Sequence, residues 1–450
     1  MKIIHDTTSE IYNSTGSVKD LNFNNSSLRD VRGRDVIIIN PCCEGGGDYA
    51  LAKKIANIAL DEGCRVTIVS IDTLEGQDYS VSEKLQSYSL QYDKTHDISQ
   101  LHNPLFIISP LSIANIDKLK NSLKAMFERF NLLPQDALLI EEMDILIHKD
   151  KTLNNYELML KDIGFHKVTA NRLGFDEGAI GYIPTDEKTI GEIKDRFKYE
   201  LMRLFDSYNM SFSRESSYHL GYISSDCYST GAQIYIANTL CEIRDDERCA
   251  NFIMSLRQIN MNNIHVVTKA ITTIISSRDS DMAIDYSSLF SKATISVIDS
   301  DDGSVKVCEE VIGTGIKDVR IILVNRLPKN IYDDFLLLAD TGMMSGDQSL
   351  SDYLTLKGTL PYYDMQPWKY PLVQSIKKLA GDGLDDYLNK KIVGKVPFIG
   401  TLLHSFIKNH EQPIISPEQL AQKKQLDKTL CSNIATPYIK GVIRASLNNC

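Results

Sequence analysis

"DVIIINPCCEGGGDYALAKKIANIALDEGCRVTIVSID" (Asp35 to Asp72) decides the fold class. Its first six residues, Asp35 to Asn40, are a β-branched run that reads as a buried strand. From Tyr49 to Glu62, Leu51, Ile55, Ile58 and Ala59 recur at helical spacing, and Gly63 follows as a C-cap residue. "RVTIVSID" is the next strand. A strand, a helix and a strand in that order demand a parallel sheet covered by helices.

The alternation continues outward. "PLFIISP" (Pro104 to Pro110) and "DALLIEEMD" (Asp136 to Asp144) are apolar strands followed by polar punctuation. Residues 150–185 read as irregular, and "EKTIGEIKDRFKYELMRLFDSY" (Glu187 to Tyr208) as a charged helix bridging domains. A second α/β pattern starts at "YHLGYIS" (Tyr218 to Ser224), with the loop "SDCYSTGAQ" and the helix "IYIANTLCEI" behind it. Its further strands are "NIHVVT", "ATISVID", "VRIILVN", "TGMMS" and "TLPYYD". Two successive patterns of similar size predict two Rossmann-like domains facing across a cleft, with ligands outside the carboxyl ends of the strands. The expected division is a flexible leader at 1–28, an acceptor-binding domain at 29–205 and a nucleotide-sugar-binding domain at 206–425. A helix at 426–450 packs back on the first domain.

With 450 residues the chain exceeds one ordinary core. Its 49 basic and 59 acidic residues leave a net charge of −10, which speaks against nonspecific binding to nucleic acid or to an anionic membrane surface. The N-terminus lacks an apolar signal region, and no apolar run reaches the ~18 residues of a membrane span. Nine cysteines without CxxC pairing suggest reduced thiols. The expected location is the cytoplasm, either the cell's own or another cell's, reached without a cleavable signal.

Two constellations carry the chemistry. In the first, Gly45, Gly46 and Gly47 stand between Glu44 and Asp48 after the first strand. The glycines leave backbone open to a ligand. No GK[ST] follows, so this is neither a Walker loop nor a GxGxxG fingerprint. Asp48 falls at the helix N-cap, where the dipole favours its ionised form, and it suits gripping or deprotonating an acceptor. A helix cap and a plain turn account for the same residues equally well.

In the second, "TGMMS" runs into Gly346, and Asp347, Gln348 and Ser349 open a helix that ends at Gly358. The N–H groups of Gln348 and Ser349 make an anion seat for a diphosphate, and the Ser349 hydroxyl is a further donor. Asp347 suits sugar hydroxyls, or an ordinary N-cap.

Together the two stretches resemble the nucleotide-sugar-dependent glycosyltransferases of the GT-B type. The run "RLPKNIYDDFLLLADTGMMSGDQSLSDYLTLKGTLPYY" (Arg326 to Tyr363) looks like their donor site. Among them the likeness is greatest to the protein-arginine rhamnosyltransferases that modify a translation elongation factor. Glu44 to Asp48 matches the spacing of acids in their acceptor loop, and Leu139-Ile140-Glu141-Glu142 echoes a strand end. Gly346, Asp347 and Ser349 match their Arg-Gly-Glu-Asp-Ser turn, with Ser345 in place of the arginine and Gln348 in place of the second acid.

The resemblance implies acceptor activation by Asp48 and Glu44 and donor contact by Gly346, Asp347, Gln348 and Ser349. It implies transfer to a protein side chain, with a nucleotide-sugar as substrate, no other cofactor and no metal. Arg326, Lys329, Lys357 and Lys369 are the basic residues near the donor turn, and each reads as a solvated surface charge.

Rival readings are a catalytically silent scaffold of the same architecture that binds a partner protein, and a metal-dependent transferase. The second would use Asp299-Ser300-Asp301 as a DxD motif, although Asp302-Gly303 signals a hairpin turn. The histidines show no zinc spacing. His219 and His265 begin strands and read as packed or partly exposed, and Cys42-Cys43 as small buried residues. Trp368 suits stacking on a sugar or base as well as core anchoring, and of Tyr362 and Tyr363 at most one faces the cleft.

Overall fold

A computed structural model describes residues 34–42, 47–73, 85–89, 104–109, 115–143, 149–207, 213, 215–223, 230–256, 264–279, 284–300, 303–394 and 416–446. The leader at 1–28, together with Cys43, Glu44, Gly45, Gly46, Asp301 and Asp302, lies outside these residues. The chain forms two compact α/β units. The described residues of one run from Glu187 to Cys431; those of the other run to Asp186 and resume at Ser432. The divisions at 186/187 and 431/432 therefore differ from the expected 205/206 and 425/426, and the charged helix from Glu187 belongs to the second unit.

The first unit is built on a sheet of β1 (Asp35–Cys42), β2 (Arg65–Asp72), β3 (Leu85–Ser89), β4 (Leu105–Ile108), β5 (Asp136–Glu141) and β6 (Lys167–Arg172). Their spatial order is β3-β2-β1-β4-β5-β6. All neighbours are parallel except β3 beside β2. Val36 to Ile39 are buried, as a strand covered on both faces requires, which explains the unbroken apolar run.

Helix α1 (Gly47–Asp61) buries Leu51, Ala52, Ile55, Ala56, Ile58 and Ala59 and packs on β1 and β2. The opposite face carries α2 (Ile116–Phe130) and α3 (Lys149–Ile163). There Leu119, Leu123, Met126 and Phe127 of α2 and Tyr156, Met159 and Leu160 of α3 join Ile37, Ile39, Phe106 and Ile108 in one core. Asn115 caps α2 by accepting from the Lys118 N–H at 3.1 Å.

The returning chain is stitched to this unit by backbone. Tyr182 N–H donates to the Asn433 carbonyl at 3.0 Å and Ala435 N–H to the Tyr182 carbonyl at 2.8 Å. The last helix, α12 (Thr436–Ala445), lies against α1, where Arg444 Nη2 meets Glu62 Oε1 at 2.8 Å.

The second unit holds an eight-stranded sheet among its described residues. Its strands are β7 (Ser217–Ile223), β8 (Ala250–Leu256), β11 (Lys292–Ile298), β12 (Val305–Ile312), β13 (Asp318–Val324), β14 (Thr341–Met344), β15 (Tyr362–Met365) and β16 (Ile392–Gly394). The order is β12-β11-β13-β8-β7-β14-β15-β16, parallel except for β12. A two-stranded ribbon, β9 (Arg278–Asp279) with β10 (Ile284–Asp285), stands apart.

Helices α4 (Glu187–Ser207), α5 (Thr230–Glu242), α6 (Ile264–Ile275), α7 (Lys329–Leu338), α8 (Asp347–Lys357), α9 (Tyr370–Ala380), α10 (Asp385–Lys391) and α11 (Pro417–Ser432) complete this unit, α11 crossing its end by one residue. One face of the sheet packs α5 and α6 and the other packs α7 and α8.

Several expectations are corrected here. "NIHVVT" is not a strand but the start of α6, which buries Ile264, Val267, Thr268, Ile271, Ile274 and Ile275 at helical spacing. The stretch expected to be irregular contains α3 and the edge strand β6. Of the hairpin signal at Asp302-Gly303, Asp302 lies outside the described residues, and the residues around it form a hairpin. β11 and β12 pair antiparallel, Gly303 N–H donates to the Asp299 carbonyl at 2.8 Å and Asp299 N–H to the Ser304 carbonyl at 3.0 Å. Among the described residues no helix is long and apolar enough to cross a membrane.

Candidate functional site

In the second unit the strand order reverses between β7 and β14. Chain segments leaving β7 build the sheet toward β12, and those leaving β14 build it toward β16. In an open parallel sheet, the crevice outside the strand ends at such a reversal is where ligands bind. The Gly346–Ser349 turn lies there, between the end of β14 and the start of α8.

Gly346 caps the helix with φ 89° and ψ 168°, a conformation open to glycine and costly for any side chain. The helical ladder begins with Leu350 N–H on the Gly346 carbonyl at 3.3 Å. The N–H groups before it are those that a helix cannot satisfy by itself, and they carry the positive end of its dipole. Asp347, Gln348 and Ser349 occupy the first three positions. The Ser349 hydroxyl, expected as a donor to a ligand, donates instead to the Ser345 carbonyl at 2.8 Å. The buried Gln348 Oε1 meets no hydrogen-bond partner among the described residues.

Lys369 is the residue that sequence reasoning misplaced. It is 2 % exposed, not a solvated charge, and its Nζ stands 2.8 Å from Oδ2 of the buried Asp347. A 3₁₀ turn at Pro367–Lys369, closed by Lys369 N–H on the Gln366 carbonyl at 2.9 Å, delivers it from the end of β15. Lys369 is also the residue before α9. A cation at a helix N-terminus opposes the dipole, and burial removes its water. The carboxylate of Asp347 offsets both costs. Sequence offered no local signal, because the partners are 22 positions apart.

The other nearby cations do different work. Lys329 bridges Asp333 and Asp352, the latter at 2.9 Å. Lys357 donates to the Leu337 carbonyl at 2.9 Å, and burial lowers its pKa to about 8. Arg326 is exposed.

Trp368 is 45 % exposed, so it does not anchor a core, while Tyr362 and Tyr363 are both buried. His219 is enclosed by Ser217, Thr341 and the Phe252 ring, and burial pushes its pKa down to about 3. It is a neutral, packed histidine. His265 lies exposed on α6 rather than at a strand start.

In the first unit, Gly47 and Asp48 are the first two residues of α1, so Asp48 lies inside the first turn rather than at the cap. It is half-buried. Cys42 ends β1. Among the described residues, no group of three or more His, Cys, Asp or Glu side chains could hold a metal ion.

No family model matches the sequence, and no curated protein matches it. Solved structures similar to the chain include an α,α-trehalose-phosphate synthase (UDP-forming) from Burkholderia vietnamiensis. It is 9% identical, with a TM-score of 0.39 over 93% of this chain and 98% of that one. A trehalose-6-phosphate synthase gives 9% identity and a TM-score of 0.40 over 93% and 98%. A structure of the Escherichia coli protein bound with UDP-2-fluoro glucose gives 7% and 0.37 over 92% and 98%. At these values the likeness carries no argument, and the α/β fold rests on the two sheets themselves.

Proposed function

We propose that the chain transfers a glycosyl group from a nucleotide-sugar donor to an acceptor, in the manner of GT-B enzymes. The second unit holds the donor and the first the acceptor. The observation that carries this reading is the Gly346–Ser349 turn at the reversal of the second sheet, with the buried Lys369–Asp347 pair beside it. A diphosphate suits the N–H groups at the start of α8, because anions are stabilised at helix N-termini. The Gln348 amide and the Asp347 carboxylate are acceptors for sugar or ribose hydroxyls. Lys369 places a positive charge where negative charge grows on the departing diphosphate, which is the electrostatic requirement of glycosyl transfer.

The acceptor is a protein side chain on the strength of the sequence resemblance, and Asp48 is the carboxylate assigned to orient or deprotonate it. The Asp299 segment supports a hairpin, and the reaction is assigned without a metal.

A thermal-shift series with UDP-, GDP- and dTDP-sugars tests the reading, since a ligand that binds the native state raises its midpoint. At least one sugar nucleotide should raise it, with the shift lost in Asp347→Asn. A flat response to all three would end the proposal and favour the silent scaffold.

A further inference from the structure

The sheet of the first unit reverses its order between β1 and β4, so it has a crevice of the same topological kind. Three polar side chains meet at the carboxyl ends of its strands. Asn40 of β1 is in register with Ser70 of β2. Ile39 is in register with Ile108, which puts Asn40 level with Ser109 after β4. Ile37, Ile39, Val69, Phe106 and Ile108 point into the core with α2 and α3. Side chains alternate along a strand, so Asn40, Ser70 and Ser109 share the opposite face, the one covered by α1. Helix α1 begins at this end, with Asp48 in its first turn.

Asn40 is 1% exposed. Its Nδ2 donates to Ser70 Oγ at 3.0 Å, and its Oδ1, buried, has no hydrogen-bond partner among the described residues. Ser109 Oγ donates to the Ile140 carbonyl at 3.2 Å, so its proton is already committed. A buried amide oxygen left without a donor is costly. Asp48 adds an acidic side chain at this end of the sheet, whereas Glu141, in phase with Ala137 and Leu139 of β5, lies on the other face with α2 and α3.

We propose that this edge is a binding subsite for a ligand group that donates hydrogen bonds, with Asn40 Oδ1 as its acceptor. The Asp48 carboxylate decides the class: a neutral polyol or a cationic N–H group, not an anion. Its place as the acceptor subsite rests on the transferase reading above.

Full-length protein is titrated with N-acetyl-arginine amide as the cationic probe, glucose as the polyol and inorganic phosphate as the anion, following the melting midpoint. One of the first two should raise the midpoint and phosphate should not. Asn40→Leu should lose the probe-induced shift. The subsite is overturned if neither donor-bearing probe shifts wild type, if phosphate alone does, or if Asn40→Leu keeps the shift.

If Asn40→Leu does not fold, Asn40→Asp decides, because it keeps an acceptor oxygen. Its response to the effective probe must persist, and loss overturns the proposal. The nucleotide-sugar series separates the two readings. A protein blind to every nucleotide-sugar but responsive to a probe through Asn40 keeps the subsite and loses the transferase.

Discussion

Lys369 Nζ and Asp347 Oδ2 stand 2.8 Å apart with both side chains buried, joining the segment after β15 to the first turn of α8. Removing one member of such a pair strands the other charge without water. Lys369→Met and Asp347→Leu should therefore each destabilise the second unit by about 3–5 kcal/mol. The double replacement should cost clearly less than the sum, since no charge is then left behind. Denaturant unfolding of the four proteins measures the coupling. Additive losses would mean that the contact carries no energy of its own.

Gly346 gives a separate handle on the same turn. A Cβ there would meet nothing within 4 Å, so its cost would come from the backbone alone at φ +89°. Gly346→Ala should lower stability by about 1–3 kcal/mol. Its effect on nucleotide-sugar binding should be larger than that loss explains, because relaxing the turn re-aims the first N–H groups of α8. A variant that binds donors as wild type does would remove the turn from the site.

What could be read from sequence follows from how each segment is buried. β1, β2 and β13 are covered on both faces and announce themselves as unbroken β-branched runs. The β14–Gly346–α8 turn was legible because a glycine and a following acid mark a strand-to-helix transition locally. Helix α6 was misread because "NIHVVT" is too short to tell a buried helix from a strand. Extending the window to Ile275 brings in Ile271 and Ile274 and restores the helical period. Lys369 and Asn40 were invisible for another reason: what distinguishes them is burial and a partner on a neighbouring strand or turn, and neither is encoded nearby.

Gly181 should be the least replaceable glycine of the first unit. Its φ is +93°, and a Cβ would fall 2.2 Å from the Asn433 carbonyl oxygen and 2.6 Å from its carbon. Those are backbone atoms held by the Tyr182–Asn433 and Tyr182–Ala435 bonds, so they have no rotamer by which to yield. Gly181→Ala should destabilise by more than Gly346→Ala and should expose Tyr182 and α12 to proteolysis. Gly303→Ala, with φ +69° but open space around it, is the control for backbone strain alone. Equal losses in Gly181→Ala and Gly303→Ala would show that the stitch is pliable.

Lys357 makes stability depend on pH in a direction that can be worked out. Burial disfavours its ammonium and holds the folded pKa at about 8, below the 10.5 of a free lysine, with Asp340 opposing the shift. Below pH 8 the folded and unfolded chains both carry the proton, and the full cost of burying the charge is present. Between about 8 and 10.5 the unfolded chain binds more proton than the folded one, so stability rises with pH through that window. Lys357→Met loses the bond to the Leu337 carbonyl at every pH but has no proton to release. The stability difference, wild type minus variant, should thus climb by on the order of 3 kcal/mol from pH 7.5 to pH 10.5. Taking the difference cancels the tyrosines that both proteins share. Urea unfolding at steps across this range measures it, and two parallel stability curves would mean that the ammonium keeps its ordinary hydration in the fold.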